Sequence, residues 1–375
     1  MAVNLPKQKV KEVKEEKSLI GQINDYLLRF SKVPLKEKLF FIQHLGIMMK
    51  AGIPLSKGLN TLSIQTKNKY FTKVLSDVSK NVEKGVTLTE SLKMYKNVFG
   101  ELFINMIEAG EVSGKLEEVM KRLYIQMKKQ HELKSKVRSA LIYPSIIVLA
   151  MMGIGTFMVI FVVPKITDMF KDFDAELPIP TKILISVSDG IANNGLISAL
   201  IFIVFIVSAI KILRTYKGKY YFQAMLLKLP IISPIVKKIN LANFSRTVSS
   251  LLKTDIMIIQ TFQITSNVIG NLHYRIALKN MSEKIKKGVA INEIVKDYPN
   301  LFPPVVVQMI MVGEETGELD NILEELADFY ENEVDQIMNN LPSVIEPILI
   351  LVLGLAVAGM ALAIITPMYS MTDAI

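Results

Sequence analysis

The 375-residue chain has no cysteine, no tryptophan and only three histidines. The missing cysteine excludes a disulfide framework, a thiolate-held metal, an iron–sulfur cluster and a thiol nucleophile together. His44, His131 and His273 are far apart, and none stands at the i, i+4 spacing that puts two ligands on one helix face. A histidine-rich zinc or iron site is therefore not expected. Charge is absent just as selectively: Lys and Arg outnumber Asp and Glu by 44 to 35, a formal +9, yet three long stretches carry almost none of them.

Residues 139–164 hold no charge and run through Ile146, Leu149, Phe157 and Phe161. At about 1.5 Å per residue such a helix outruns the roughly 30 Å hydrocarbon core of a bilayer. A second uncharged run extends from Gly190 to Ile210 and a third from Pro347 to Thr372. Core helices of soluble domains are shorter and rarely so free of charge, so all three are expected to span a membrane. The lysine- and glutamate-rich start, Met1 to Ser31, lacks an early apolar run before a small-residue cleavage site and does not read as a signal peptide.

The flanks set the orientation. Lys128, Lys129, Lys134, Lys136 and Arg138 precede span one, and Lys211, Arg214, Lys217 and Lys219 follow span two, so both ends are expected on the cytoplasmic side. The intervening residues 165–189, with three lysines against five acids, suit the outer side. The expected order is a basic tail with an amphipathic helix (1–35), helical domain one (36–138), span one (139–164), an outer loop (165–189), span two (190–212), helical domain two (213–343), span three (344–368) and an outer tail (369–375). The amphipathic stretch of the tail, Leu19, Ile20, Ile23, Leu27 and Phe30, suits either a membrane or partner surface or a solvated arm.

The sequence matches itself without a gap at a shift of 203 residues, Phe41–Phe170 onto Phe244–Asp373. Identities include Lys50/Lys253, Gly85/Gly288, Gly110/Gly313, Glu111/Glu314, Gly114/Gly317, Pro144/Pro347 and Pro164/Pro367. Self-similarity at a fixed period outranks any short motif. Each copy is a polar module of about 100 residues ending in a membrane helix, with span two as the extra element that returns the chain. Leu319, Ile322, Leu323, Leu326, Tyr330, Val334, Ile337, Met338 and Leu341 draw one helical stripe toward span three, echoed by Leu116, Val119, Met120, Leu123 and Met127. Ser113 and Thr316 are expected to cap these helices, and Thr87 with Glu90 has capping-box spacing. Pro34 is expected to open the first bundle, and Pro230 and Pro234 to punctuate entry to the second. The fold class is an all-α membrane protein with two duplicated cytoplasmic helical bundles and three transmembrane helices.

Gly110-Glu-Val-Ser-Gly114-Lys115-Leu116 resembles a phosphate-binding loop and fails as one. That loop has four residues between its glycines and a Ser or Thr after the lysine, whereas this segment has three and a leucine, and copy two carries Glu318 in place of Lys115. Work in which the chain takes part is expected to be powered by a partner. Glu111 and Glu314 are paired carboxylates of the kind that serve acid–base or cation chemistry, or contact a partner. The favoured reading is a carboxylate stabilised at a helix N-terminus. No nucleophile, base and orienting group occur together, so no catalytic residue, cofactor or metal site is assigned.

The equivalent long helices differ in charge. Residues 115–138 hold eight Lys/Arg against three acids, and 318–341 hold eight acids and no Lys/Arg. Positive-inside topology and attraction to anionic membrane lipid, worth about 1 kcal/mol per cation, account for the basic copy and not for the acidic one. Glu324, Asp328 and Glu331 are therefore expected to face a basic surface, either Lys121 and Lys128 of a neighbouring subunit or a cytoplasmic partner. Gly153 in span one and Gly354 and Ala358 in span three are candidates for close helix packing in the bilayer. No ionisable residue sits at a span centre, which argues against an ion pathway.

Glu108-Ala-Gly-Glu-Val-Ser-Gly-Lys-Leu116, Tyr143-Pro144, Ala51-Gly-Ile-Pro-Leu55, and the echo Val312-Gly-Glu-Glu-Thr-Gly-Glu-Leu319 with Glu346-Pro347 together resemble the type II secretion system F family. The resemblance covers about residues 36–373. It implies a non-enzymatic inner-membrane platform in a type IV pilus or type II secretion machine. Its implied partners are a hexameric cytoplasmic ATPase, pilin or pseudopilin, and other inner-membrane assembly proteins. It also implies contact with its own copies in a homo-oligomer, with membrane lipid around the spans and no direct binding of nucleic acid. Glu111, Gly114, Glu314 and Gly317 then become candidate partner-binding positions alongside the charged helix residues. One departure is Asp255-Ile-Met257 where copy one has Gly52-Ile-Pro54, so the turn contacts of copy one are not transferred to copy two. A secondary transporter would need more spans and a polar midplane site. A receptor or enzyme would need a pocket with perturbed groups.

Overall fold

A computed structural model of the chain describes residues 33–165, 182, 185–186, 188–190 and 194–372. The amphipathic stretch of the tail, nearly all of the outer loop and residues 373–375 lie outside the described residues. Those described form helices and turns, with no strand among them. The first copy comprises α1 (Leu35–Lys50), α2 (Leu55–Gln65), α3 (Lys69–Glu83), α4 (Leu88–Lys93), α5 (Lys96–Phe99), α6 (Glu101–Ser113) and α7 (Leu116–Ala140). Span one follows as α8 (Ile142–Phe157) and a π-helical turn at Met158–Val162, where Ser188 Oγ donates to the Val159 carbonyl at 2.6 Å. Next come α9 (Gly195–Arg214) and α10 (Tyr216–Leu226). The second copy runs through α11 (Ile232–Leu252), α12 (Ile258–Val268), α13 (Leu272–Lys286), α14 (Ile291–Lys296), α15 (Pro304–Thr316) and α16 (Leu319–Thr372).

The repeat is visible helix by helix. The bounds of α2, α3, α4 and α6 recur in α12, α13, α14 and α15 at the same 203-residue shift. Both cores are built on the same aromatic triad. Phe41 lies 5.7 Å from Phe71 and 6.1 Å from Phe99, centroid to centroid, and at the equivalent positions Phe302 lies 5.3 Å from Phe244 and 5.5 Å from Tyr274. Fully burying each such ring contributes about 2–3 kcal/mol. Tyr274 keeps its polar end inside the core by donating to the Leu301 carbonyl at 2.7 Å, and burial pushes its hydroxyl pKa up.

Two compact units meet between Ile125 and Gln126, inside α7. The expected boundary at 138 follows entry into the membrane, whereas packing divides the chain earlier. Gln126 Nε2 donates to Thr247 Oγ1 at 3.2 Å, Ser250 Oγ donates to Gln126 Oε1 at 2.8 Å, and Leu133 is buried in the second unit's core. The apolar stripe of α16 buries Leu323, Leu326, Tyr330, Val334, Met338 and Leu341, and the same 54-residue helix then continues as span three. Copy one instead pauses at Leu141, between α7 and α8, before its proline, Pro144. Among the described residues three helices are long and apolar enough to cross a membrane: within Leu116–Lys165, Gly195–Arg214 and Leu319–Gly359.

Glycine fixes the elbows. Gly114 and Gly317 take left-handed φ of 70° and 74°, ending α6 and α15. Ser113 and Thr316 therefore lie in the last turn of the preceding helix and donate back to Ala109 O (2.7 Å) and Val312 O (2.8 Å), which corrects their expected role as N-caps. Thr87 does cap: its Oγ1 accepts from Glu90 N at 3.2 Å. Pro34 stands at the N-cap of α1, and Pro234 sits in the first turn of α11, as expected of helix entries.

The turn after α1 recurs in copy two without its glycine. Ile53 N bonds to Met48 O at 3.0 Å and Ile256 N to Leu251 O at 3.3 Å. Asp255 adopts φ 61°, the one non-glycine at positive φ among the described residues. The turn contacts thus carry over after all, because the i to i−5 bond fixes the backbone whichever side chain is present.

One turn before each elbow, a glycine lets two helices touch. A Cβ at Gly110 would stand 2.9 Å from Val119 Cγ2, and one at Gly313 would stand 2.9 Å from Leu319 Cα. Neither obstacle can step aside: Val119 is a buried β-branched side chain with the Leu116 backbone at 3.2 Å behind it, and Leu319 meets Gly313 with its backbone. Gly110→Ala and Gly313→Ala should therefore each cost about 2–3 kcal/mol. Thermal unfolding of the detergent-solubilised chain reads the loss, and wild-type melting temperatures for both variants would contradict this packing.

Candidate functional site

Glu111 projects from the end of α6 and clasps a different helix. Its Oε1 accepts from Leu88 N at 2.7 Å and its Oε2 from Thr89 N at 3.0 Å. Glu314 repeats this in copy two, accepting from Ile291 N at 2.8 Å and Asn292 N at 3.1 Å. Each carboxylate thus satisfies the first two orphan N–H groups of a six-residue helix, α4 or α14, and lies at the positive end of its dipole. Both oxygens are engaged by backbone, which suits a structural clasp and leaves poor geometry for acid–base work. In copy one Thr87 covers a third N–H, whereas Ala290 at the matching position has no side-chain acceptor.

With Gly110/Gly313 and Gly114/Gly317, the clasp forms one device per copy: close helix approach, left-handed turn, and a carboxylate tying the turn to the bundle. The segment that resembles a phosphate loop is spent on this device, from the last turn of α6 through Gly114 into α7. His44 Nδ1 donates to Phe40 O (2.9 Å) and His273 Nε2 to Tyr220 O (3.2 Å). Among the described residues no group of three or more His, Asp or Glu is placed to hold a metal.

The acidic face of α16 closes on cations of its own unit. Arg246, on α11, has a side chain only 6% exposed and binds Glu331 bidentately, Nε–Oε1 at 2.8 Å and Nη2–Oε2 at 3.0 Å. It also pairs with Asp328 and approaches Glu324 at 3.7 Å. Lys253 pairs with Glu324, and Lys129 reaches Glu331 at 3.1 Å and Asp328 at 3.4 Å. Lys136 binds Asp335 at 2.6 Å, and Lys238 pairs with Glu333. Burial alone lowers the pKa of both Arg246 and Lys129. Hydrogen bonding and attraction from Glu331, joined by Asp328, overcome it and leave both cations raised.

The basic surface that the acidic stripe demanded is thus found within the chain. Glu331 is largely buried, while Glu324 and Asp328 remain 43% and 46% exposed. Of the basic candidates, Lys121 is exposed, and Lys128 makes only a 3.9 Å approach to Glu132 on its own helix. Sequence reasoning missed Arg246 and Lys253 because they sit on another helix. A usable signal was the spacing of Lys129 and Lys136, which matches that of Asp328 and Asp335.

The span candidates do not pack within one chain. Gly153, Gly354 and Ala358 are exposed, and a Cβ at either glycine would meet nothing within 4 Å. Among the described residues of the second unit are two open cavities without a catalytic set. One of about 420 Å³ lies beside Tyr220, His273 and Tyr298, and one of about 650 Å³ beside Leu133, Lys134, Arg138 and Ile239.

Duplicated helical modules, each running into a membrane-length helix and each locked by a glycine–carboxylate elbow, define a multi-span membrane scaffold. The chain belongs to the family described as type II secretion system (T2SS), protein F, which it matches twice, over residues 41–164 and 244–367. It is 33% identical to the type IV pilus assembly protein PilC of Myxococcus xanthus over 97% of this chain and 87% of that protein. It is also 33% identical to the PilC of Thermus thermophilus, over 89% of this chain and 82% of the relative. To the type II secretion system protein F of Aeromonas hydrophila it is 27% identical over 94% of this chain and 90% of that one.

Two stability contrasts follow from this geometry. Glu314→Ala should cost about 1–3 kcal/mol and Glu111→Ala less, because Thr87 still caps α4. Arg246→Met, which leaves largely buried Glu331 to Lys129, should cost about 2–3 kcal/mol, while loss of the exposed pair in Lys136→Met should cost under about 1 kcal/mol. Chemical denaturation of the solubilised chain measures all four, and an Arg246→Met variant as stable as wild type would refute the network.

Proposed function

We propose that this chain is the inner-membrane platform of a type IV pilus or type II secretion machine. Its two helical modules face the cytoplasm, and it mounts a hexameric assembly ATPase beneath the site where pilin or pseudopilin leaves the bilayer. The observation that carries this reading is the duplicated module itself. Both copies spend their glycines and carboxylate on an elbow, neither forms a phosphate-binding loop, and the last helix of each leads into a span, unbroken in copy two and after a break at Leu141 in copy one. Such a chain transmits force and supplies none. The names of its relatives, pilus assembly and secretion proteins over most of their lengths, support the same reading.

Cations flanking the ends of spans one and two, and an even number of spans between the two modules, support a topology with both modules on one side. The ATPase contact then uses the exposed cation Lys121 in the first unit and, in the second unit, Lys128 with the half-exposed carboxylates Glu324 and Asp328. Glu331, Glu111, Glu314, Gly114 and Gly317 act on that contact through the shape of the modules. Gly153, Gly354 and Ala358, open within one chain, are positions for a second copy or a pilin-type helix to approach closely. Other inner-membrane assembly proteins would meet the same exposed spans. Chemistry on a substrate has no role in this mechanism.

Lys121→Glu with Lys128→Glu should leave membrane insertion and melting temperature unchanged and cut ATPase copurification from detergent by roughly tenfold, the loss expected for reversed complementary charge. Failure of the wild-type chain to retain the ATPase at low salt would reject the mount. Unchanged capture by the double variant would reject these two lysines as its contact.

A further inference from the structure

Span two ends at Arg214, and after a single residue, Thr215, the chain starts α10. The corner is built tightly. Thr215 Oγ1 accepts from Gly218 N at 3.1 Å, and a Cβ at Gly218 would collide with the Ile212 carbonyl. One face of α10 is committed to the bundle. Tyr220 lies 4.3 Å from the His273 ring, centroid to centroid, and Gln223 Oε1 accepts from Leu272 N at 2.7 Å. The opposite face carries Tyr221, Phe222 and Met225, spaced i, i+1 and i+4, and they are 71%, 40% and 50% exposed. Leu229, Ile231 and Ile232 extend the same exposed apolar run into α11. Lys217 and Lys228 flank the face on one side and Lys219 on the other.

We propose that the outer face of α10, with the turn that follows it, lies in the lipid headgroup region of the leaflet at the Arg214 end of span two. There it anchors the second module to anionic phospholipid. Three observations select a bilayer as the occupant. The face is continuous with a membrane span and separated from it by one residue. The corner at Gly218 forces the chain out of the span direction at once. The residue pattern, aromatic and aliphatic side chains at the centre with lysines on both flanks, lets apolar groups enter the acyl boundary while ammonium groups reach lipid phosphates. α13 packs on the inner face, so the anchor ties the aromatic core around Tyr274 to the membrane surface. The inference needs only that span two crosses a bilayer, and it is independent of the ATPase reading.

The absence of native tryptophan makes the test direct. Single-tryptophan variants F222W and M225W of the full chain are reconstituted in vesicles of phosphatidylcholine with phosphatidylglycerol, with and without brominated acyl chains. L200W in span two and V112W on the exposed surface of α6 serve as references. Brominated lipid should quench F222W and M225W about twofold, as it quenches L200W, and leave V112W unchanged. Replacing phosphatidylglycerol by phosphatidylcholine, or Lys217, Lys219 and Lys228 by Gln, should reduce that quenching. With L200W quenched, no quenching of F222W and M225W overturns the proposal, and acrylamide then tells whether water or another protein surface covers the face. An unquenched L200W removes the span itself and the proposal with it.

Discussion

A hydrocarbon layer about 30 Å thick excludes charge, and every other feature of this chain is arranged around that exclusion. Two polar modules each end in a segment without charge, and in the proposed topology an extra span returns the chain before the second module begins. The 203-residue period therefore contains module, span, loop and return span, and the second copy dispenses with the return. In copy two, module and span become one unbroken helix, α16, whose first part carries core stripe and acidic face and whose remainder is apolar all round. Displacement at one end of such a helix is carried along its axis, the mechanical property a platform requires.

The modules are kept rigid by economical means. Each uses three residues, a contact glycine, a turn glycine and a carboxylate, to hold the last helix against a short preceding one. The clasp binds backbone N–H groups rather than side chains, so it tolerates Thr87 in one copy and Ala290 in the other. The copies diverge where charge is concerned. Copy two has Arg246 and Lys253 facing Glu324, Asp328 and Glu331, whereas copy one has Gln43 and Lys50 at the matching positions of α1 and Lys121, Ile125 and Lys128 on α7. The duplication has thus produced an acidic long helix neutralised by Arg246 and Lys253 of its own copy together with Lys129 and Lys136 of the other copy's long helix, and a basic one that keeps Lys121 exposed.

Periodicity and repetition made most of the fold legible in the sequence. The spans, the 203-residue shift, the stripe from Leu319 to Leu341 and the glycine stops needed only local pattern. The carboxylate was legible as a helix-end group, but its target was not: the clasp joins Glu111 to residues more than twenty positions away, and nothing local names α4 as the recipient. Ser113 and Thr316 were misread for a related reason. A hydroxyl before a glycine fits the start of one helix or the end of another, and only the left-handed φ of Gly114 and Gly317 decides. Arg246 was invisible because the partners of a buried cation are chosen by tertiary packing, which also hid the division of α7 between two units.

The central claim is that both modules hang from the same face of one bilayer. The absence of native cysteine allows it to be measured with single-cysteine variants in intact cells. Glu90 and Glu293 are exposed at equivalent points of the two copies, and Asn194 stands at the opposite end of span two from Arg214. A membrane-impermeant maleimide should label Glu90→Cys and Glu293→Cys only after the inner membrane is opened, and Asn194→Cys from the outer side before that. Labelling of positions 90 and 293 from opposite sides would contradict the account.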